Sequence, residues 1–331
     1  MAPQDAGLSP KPLTEIFRYH RQVFKSPAFW TSRHLEMVGC RFEDFENAND
    51  ETEHSGVGHI SIQPSNYDGP PISEDRVIEN VGRLAKCSAY LSKAFSLSNL
   101  LLVGEGHAFD KRRKGPCFFW AGRSAHRAPY SMFLRHLQPG ELRGRVPQLI
   151  GYIHYGNISG FGGQRHRELQ RQQYPGRPRF RERLSEITPS EWSEDPYLVC
   201  ILLSIAQRQE RGSRSRQPTT YSSRLLVTNE SDSQFIYLFE AEISSELLRI
   251  LDKPNISAKQ TVWPIIKRKR IPFEPYENFQ KRITAQLLAP SPLRHSEALL
   301  HKNDAGIPKQ EIGERECGRD DDESGAVRQM V

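Results

Sequence analysis

Between Ser193 and Leu288 the alternation of apolar and polar positions resolves into a row of elements. Tyr197 to Ala206 is apolar at nearly every position, which predicts a helix buried on more than one face. Ser193 reads as its N-cap, with Glu194 and Asp195 placing negative charge where the helix dipole favours it. Pro196 is tolerated in a first turn, whose amides have no helical acceptor, and Gly212 closes the helix. Arg211 to Thr220 reads as a polar loop. Two strands follow. Leu225 and Val227 share a face of Tyr221–Thr228, and Phe235, Tyr237, Phe239 and Ala241 share a face of Gln234–Ile243, with Asn229 to Ser233 as the hairpin loop. Ser244 caps a short helix that ends at Leu251 before Pro254, and Tyr276, Phe279, Ile283 and Leu287 form the stripe of a last helix.

The N-terminal half has less continuous patterning. Leu13, Ile16, Phe17, His20, Val23 and Phe24 recur at helical spacing, and a second helix covers Phe29 to Val38. Glu43 to His54 is acidic and irregular and reads as a surface loop. Ser73 caps a long helix whose buried face takes in Ile78, Val81, Leu84, Ala85, Leu91 and Phe95. Two short apolar runs, Leu100 to Val103 and Leu149 to Tyr155, read as strands.

Together these elements predict a mixed α/β or α+β protein with a helix–strand–strand–helix–helix block. The chain divides into an N-terminal helical and α/β part (1–140), a Gly- and Arg-rich irregular segment (141–192), the block (193–290), which packs with the first part as one domain, and an acidic disordered tail (291–331). At 331 residues it is long enough to bury a substantial core. Five cysteines are scattered with no CxxC pair, the N-terminus lacks an apolar signal core, and no apolar run is long enough to cross a membrane. A reducing cytoplasmic or nuclear location is the expectation. The net charge is +6, yet Glu311 to Val331 holds seven acids against three arginines, so the rest of the chain is more basic than the total suggests.

Candidate chemistry is sparse. Gly104, Glu105 and Gly106 follow the apolar run at Leu100, and a strand entering a Gly-x-Gly loop lets backbone approach a cofactor closely. The string Leu100 to His107 resembles the first motif of Rossmann-like methyltransferases. That resemblance implies S-adenosylmethionine or a nucleotide at those three residues, although the segment from Phe109 to Pro116 is a poor helix start. Gln164 to Arg183 carries Arg165, Arg167, Arg171, Arg177, Arg179, Arg181 and Arg183, interrupted by Tyr174 and Phe180. Guanidinium groups pair with phosphate and carboxylate, so this span is read as an irregular loop offered to an acidic protein or nucleic acid. Lys267, Arg268, Lys269 and Arg270 form a basic run that reads as a localisation signal or a charged strand edge, and Lys111 to Lys114 forms a second such run.

Gly151 to Gly163 lacks the lysine and hydroxyl of a phosphate-binding loop and reads as a linker. None of the histidines, including His54, His59, His154 and His166, has the spacing of a compact zinc motif. Cys200 lies in the apolar helix, and the strand at Leu149 has no acid-x-lysine pair of the kind that restriction-endonuclease-like nucleases use. No catalytic residue or metal ligand is assigned, and no cofactor beyond the Gly104 reading.

The strings Asp195 to Val199, Arg224 to Thr228, Phe235 to Phe239 and Ile271 to Tyr276 resemble a group of uncharacterised predicted proteins from filamentous fungi. The resemblance covers roughly 195–290 and implies a fungal origin and an accessory role beside secondary-metabolite genes, with no activity to carry over. The reading points away from an enzyme. It favours an intracellular accessory or interaction protein with a basic surface for an acidic partner. The alternatives are a methyltransferase using Gly104 to Gly106 and a nucleic-acid-binding or degenerate restriction-endonuclease-like domain.

Overall fold

A computed structural model describes residues 26–45, 73–103, 108–135, 148–171, 177–213, 220–254 and 262–289. They lie within the compact unit Met1–Pro290. In chain order the elements are α1 (Ser32–Val38), β1 (Arg41–Asp44), α2 (Glu74–Lys86), α3 (Tyr90–Leu102), β2 (Phe109–Lys114), β3 (Phe118–Trp120), β4 (Arg123–His126), β5 (Ser131–Arg135) and β6 (Leu149–His154). Then come α4 (Gly156–Ser159), α5 (Gln164–Arg171), α6 (Arg177–Ile187), α7 (Pro196–Gly212), β7 (Thr220–Asn229), β8 (Asp232–Ser244), α8 (Ser245–Asp252), β9 (Ile265–Pro272) and α9 (Tyr276–Leu288).

Seven strands form one mixed sheet in the order β1-β9-β8-β7-β6-β5-β2, and β3 with β4 makes a separate hairpin. The β6–α7–β7 crossover joins parallel neighbours, with Ile150 to His154 opposite Arg224 to Thr228. Both faces of the sheet are covered, so the molecule is a three-layer α/β protein. On one face Leu225, Val227, Phe239 and Ala241 pack with α7, α8 and the hairpin. On the other, Leu226, Ile236, Leu238 and Ile271 pack with α2, α3 and α9. A strand buried on both sides reads as a continuous apolar run, which is why β6 and β7 show no alternation.

Helix α7 is the centre of the first layer. From Tyr197 to Ala206 every residue is buried, and each fully buried Leu or Ile contributes about 1.5–3 kcal/mol. Its N-cap is Asp195, not Ser193. A short 3-10 turn (Trp192–Glu194) takes up Ser193, and the Asp195 carboxylate accepts from the Tyr197 amide 2.8 Å away, across Pro196. Close packing of α7 on the sheet depends on Gly151 in β6. A Cβ there would lie 2.9 Å from Leu225 and 3.0 Å from Ile205.

Several expectations need correction. Leu100 to Leu102 end a helix, so no strand leads into Gly104, Glu105 and Gly106, which lie outside the described residues along with 1–25, 46–72 and 291–331. A short apolar run is compatible with either state, and here it continues the α3 pattern that Ala94 and Leu97 begin. The long helix after Ser73 is two helices. Leu91 and Phe95 face solvent, 74% and 55% exposed, while Lys93 turns inward and donates to the last carbonyls of α2 at Leu84 and Ala85. Arg41 to Asp44 is a strand rather than the start of a loop. The β7–β8 turn contains only Glu230 and Ser231. The strand expected at Leu149 is present as β6, but Gly151–Gly163 holds the rest of that strand and α4 rather than a linker, and 164–171 and 177–187 are helical where the sequence reads as an irregular arginine loop. Pro178 sits in the first turn of α6, where a missing amide costs nothing.

The basic run at Lys267 is also only in part a free edge. β9 pairs with β8 on one side and with β1 on the other through Arg268. Lys267 binds Glu43 at 2.5 Å and Arg268 binds Asp44 at 2.7 Å. Both carboxylates are held below their usual range, chiefly by those hydrogen bonds. Only Lys267 and Arg268 are laddered on both sides, whereas Lys269 and Arg270 pair with β8 alone and keep the charged strand-edge position.

Candidate functional site

The seven arginines of the 165–183 span have separate fates. Arg165 is fully buried, which excludes it as a partner-binding residue. Its guanidinium forms two 2.6 Å bonds to the Asp195 carboxylate and a third to Ser159, and it donates to the Ala28 carbonyl. The Tyr155 hydroxyl adds a fourth donor to Asp195 at 2.9 Å, beside Tyr197 N. Every polar atom of this pair has work to do inside the fold. Removing one partner of a buried pair costs about 3–5 kcal/mol, because the other charge is left without compensation. The pair ties α5 to the start of α7.

On α6, Arg183 pairs with Glu186 at 2.6 Å, while Arg179 and Arg181 are exposed. Arg177 begins the same helix. Arg179, Arg181 and Arg183 do not line the cleft that Arg167 and Arg171 enter. Arg167 and Arg171 do converge: with Gln164 and Glu168 they form one wall of an open cleft of about 480 Å³. Positions 164, 167, 168 and 171 share a helical face, so α5 buries Arg165 and Leu169 inward and presents this polar face beside them.

The other wall is Ser124, Ala125, His126 and Arg127, from β4 and the residue after it. The hairpin that carries them is placed on α7 at two points. Near its turn, the Gln207 side chain donates to the Phe119 carbonyl and accepts from the Phe119 amide, both at 2.8 Å, replacing a neighbouring strand. Arg211 stacks on the Phe119 ring at 3.4 Å. At its far end His126 Nε2 lies 2.6 Å from the Tyr197 hydroxyl. The turn itself needs positive φ at Ala121 and Gly122, the latter at 72°.

His126 is 8% exposed yet lines the cleft. Burial, reinforced by the Arg171 charge, pushes its pKa down to about 4, so the ring is neutral at pH 7. The Tyr197 hydroxyl proton has no acceptor among the described residues other than Nε2. The satisfied arrangement therefore has Tyr197 donating to Nε2, which leaves Nδ1 as an N–H donor with no partner among the described residues. Arg171 is 3.2 Å from Glu168. Arg167 donates to the Gln164 amide oxygen at 3.3 Å, and Arg127 to the Cys117 sulfur at 3.1 Å. Among the described residues neither Arg127 nor Arg167 has a carboxylate partner.

The cleft thus offers guanidinium groups from two walls and one neutral ring N–H against a single carboxylate, Glu168, which Arg171 engages, so its balance of charge suits an anion. Cys200, the thiol in α7, is pushed well above its usual value by burial. Among the described residues no group of three or more His, Cys, Asp or Glu is placed to hold a metal ion. The C-terminal edge of the parallel pair β6/β7, where open α/β sheets commonly bind ligands, is closed by its own side chains. Thr228 takes the Tyr152 hydroxyl at 3.0 Å, and its carbonyl and hydroxyl lie 3.0 and 3.1 Å from His154 Nδ1.

No family model, curated protein or solved structure matches the chain. Sequence reasoning found Arg167 and Arg171 as members of a charged span. It missed His126, Arg127, Gln164 and Cys117, because no spacing links β4 to α5. The nearest signal was the length of Gln207 and Tyr197 within an otherwise aliphatic helix, since polar tips on a buried helix must find partners.

Proposed function

We propose that this protein is a non-catalytic accessory protein that binds an acidic partner through the cleft between β4 and α5. The observation that carries the reading is the presence of Arg127 and Arg167, on opposite walls and without carboxylates of their own. A bound carboxylate would supply the missing charge to both, and the His126 ring N–H would add a hydrogen bond without adding charge. An acidic protein segment fits better than nucleic acid. The cleft is compact and Glu168 stands inside it, which suits a short acidic segment better than a phosphate backbone that is met by a long strip of cations. A role beside fungal secondary-metabolite genes remains part of this proposal and rests on the strings in 195–290. The methyltransferase alternative has lost the strand that motivated it, because Leu100 to Leu102 are helical.

Binding of a fluorescent oligo-glutamate peptide, followed by anisotropy at several salt concentrations, tests the reading. The expected result is affinity that falls as salt rises and that drops about tenfold or more in the Arg127→Ala, Arg167→Ala double variant, a loss of at least about 1.4 kcal/mol. Unchanged affinity in that variant would sink it. Tighter, salt-steep binding of single-stranded DNA or RNA at the same residues would replace the protein partner with nucleic acid.

A further inference from the structure

Cys117 stands at the rim of this cleft. Its sulfur is half-buried and accepts from Arg127 Nε at 3.1 Å, and it is hydrogen-bonded with Ser124 as well. Both partners line the cleft. Burial raises the thiol pKa, but the Ser124 and Arg127 hydrogen bonds and the charges of Arg127 and Arg211 outweigh it, leaving it below the usual value. The other thiols differ. Cys40 and Cys200 are buried, and burial pushes Cys40 up to about 12. Cys87 is partly exposed and also lowered, first through Ser92 and then the Ala89 backbone, but it does not line the cleft.

A thiol whose ionised form is favoured by a neighbouring arginine has two properties at once. It is nucleophilic, and its surroundings attract an incoming anion. The ring N–H of the nearly buried His126, which also lines the cleft, is a further donor for that anion. We infer that Cys117 is a covalent modification site for small acidic disulfides, whose carboxylates the Arg127, Arg167 and Arg171 cleft holds while the sulfur exchanges. In the step, the Cys117 thiolate attacks one sulfur of the disulfide. A new S–S bond forms to Cys117, the original S–S bond breaks, and the departing thiolate takes a proton from water. No oxidant beyond the disulfide is consumed. Because Arg127 serves both the thiol and the cleft, the modified protein has its anion site filled by its own adduct, and it releases any acidic partner. This inference rests on the anion-binding reading of the cleft.

The test uses the full-length chain carrying Cys87→Ser and Cys317→Ser, treated with oxidised glutathione as the acidic disulfide and with methyl methanethiosulfonate as a neutral reagent, with the adduct located by peptide mass mapping. Glutathionylation should map to Cys117. Arg167→Ala with Arg171→Ala should slow the glutathione reaction about tenfold, the scale of electrostatic recruitment, and leave the neutral reagent's rate nearly unchanged. Arg127→Ala should slow both. Equal sensitivity of the two reagents to the Arg167 and Arg171 changes, or no adduct on Cys117, would overturn the inference. Oligo-glutamate binding measured on the same Cys87→Ser, Cys317→Ser protein separates the two claims: retained binding with failed exchange at Cys117 rejects only the thiol site, whereas absent binding before any modification rejects the cleft itself.

Discussion

At the scale of single residues, two positions decide the contrast between fold and surface. Arg165 and Arg167 are chemically identical in the sequence and two apart, yet one is a buried fastener and the other an open cation. Nothing in arginine counting separates them; the separation follows from helical phase, which places 165 and 169 inward together. His126 carries a different consequence. Its folded pKa, about 4, is below that of the unfolded chain, so the unfolded state binds more protons between those values. The stability it contributes is complete above about pH 6.5 and is lost as pH falls toward 4, where the two states become equally protonated. Urea unfolding measured from pH 7 to pH 4.5 should therefore show a steeper decline for the native chain than for His126→Gln. Parallel curves would mean that the ring is not buried as described.

At the scale of elements, the helix–hairpin–helix block was legible because its signals are local. Ser244 does cap a helix, accepting from Leu247 N at 3.2 Å, and Phe279, Ile283 and Leu287 are the buried stripe of α9. The end of α3 was not legible, because four apolar residues look alike in a strand and in a buried helix. Nor was the β3–β4 hairpin, which is short, weakly alternating and held by side chains rather than by the main sheet. That attachment makes a prediction. Gln207→Ala removes both bonds to Phe119 and should destabilise the protein by about 1–3 kcal/mol. It should also weaken oligo-glutamate binding, although Gln207 does not line the cleft. Full affinity at the reduced stability would show that the hairpin holds its position without the amide.

At the scale of the whole molecule, the mixed α/β class could be read from apolar helices among apolar strands, but the parallel pairing of β6 with β7 and the three layers could not. The position of β9 between β1 and β8 could not, since it depends on pairing over more than 200 residues of sequence, between Arg41 and Ile265. Charge also acts at this scale. Residues 291–331 hold nine acidic and six basic side chains, so the unit that ends at Pro290 is more basic than the full chain. A chain ending at Pro290 should bind oligo-glutamate more tightly than the full-length protein at low salt, and the difference should shrink as salt screens the field. A salt-independent difference would point to a specific contact instead.

Both walls of the cleft are referenced to one helix. Asp195 at the start of α7 fixes α5, Tyr197 fixes the His126 end of β4, and Gln207 fixes the hairpin near its turn. Asp195 and Gln207 are twelve residues apart in sequence, about 18 Å along a straight helix. Helix α7 therefore works as a gauge block: the width of the opening is copied from a rigid rod seated in the core rather than from the sheet. Twisting or breathing of the outer strands leaves that width unchanged, and an acidic group entering the cleft meets donors already at their working separation.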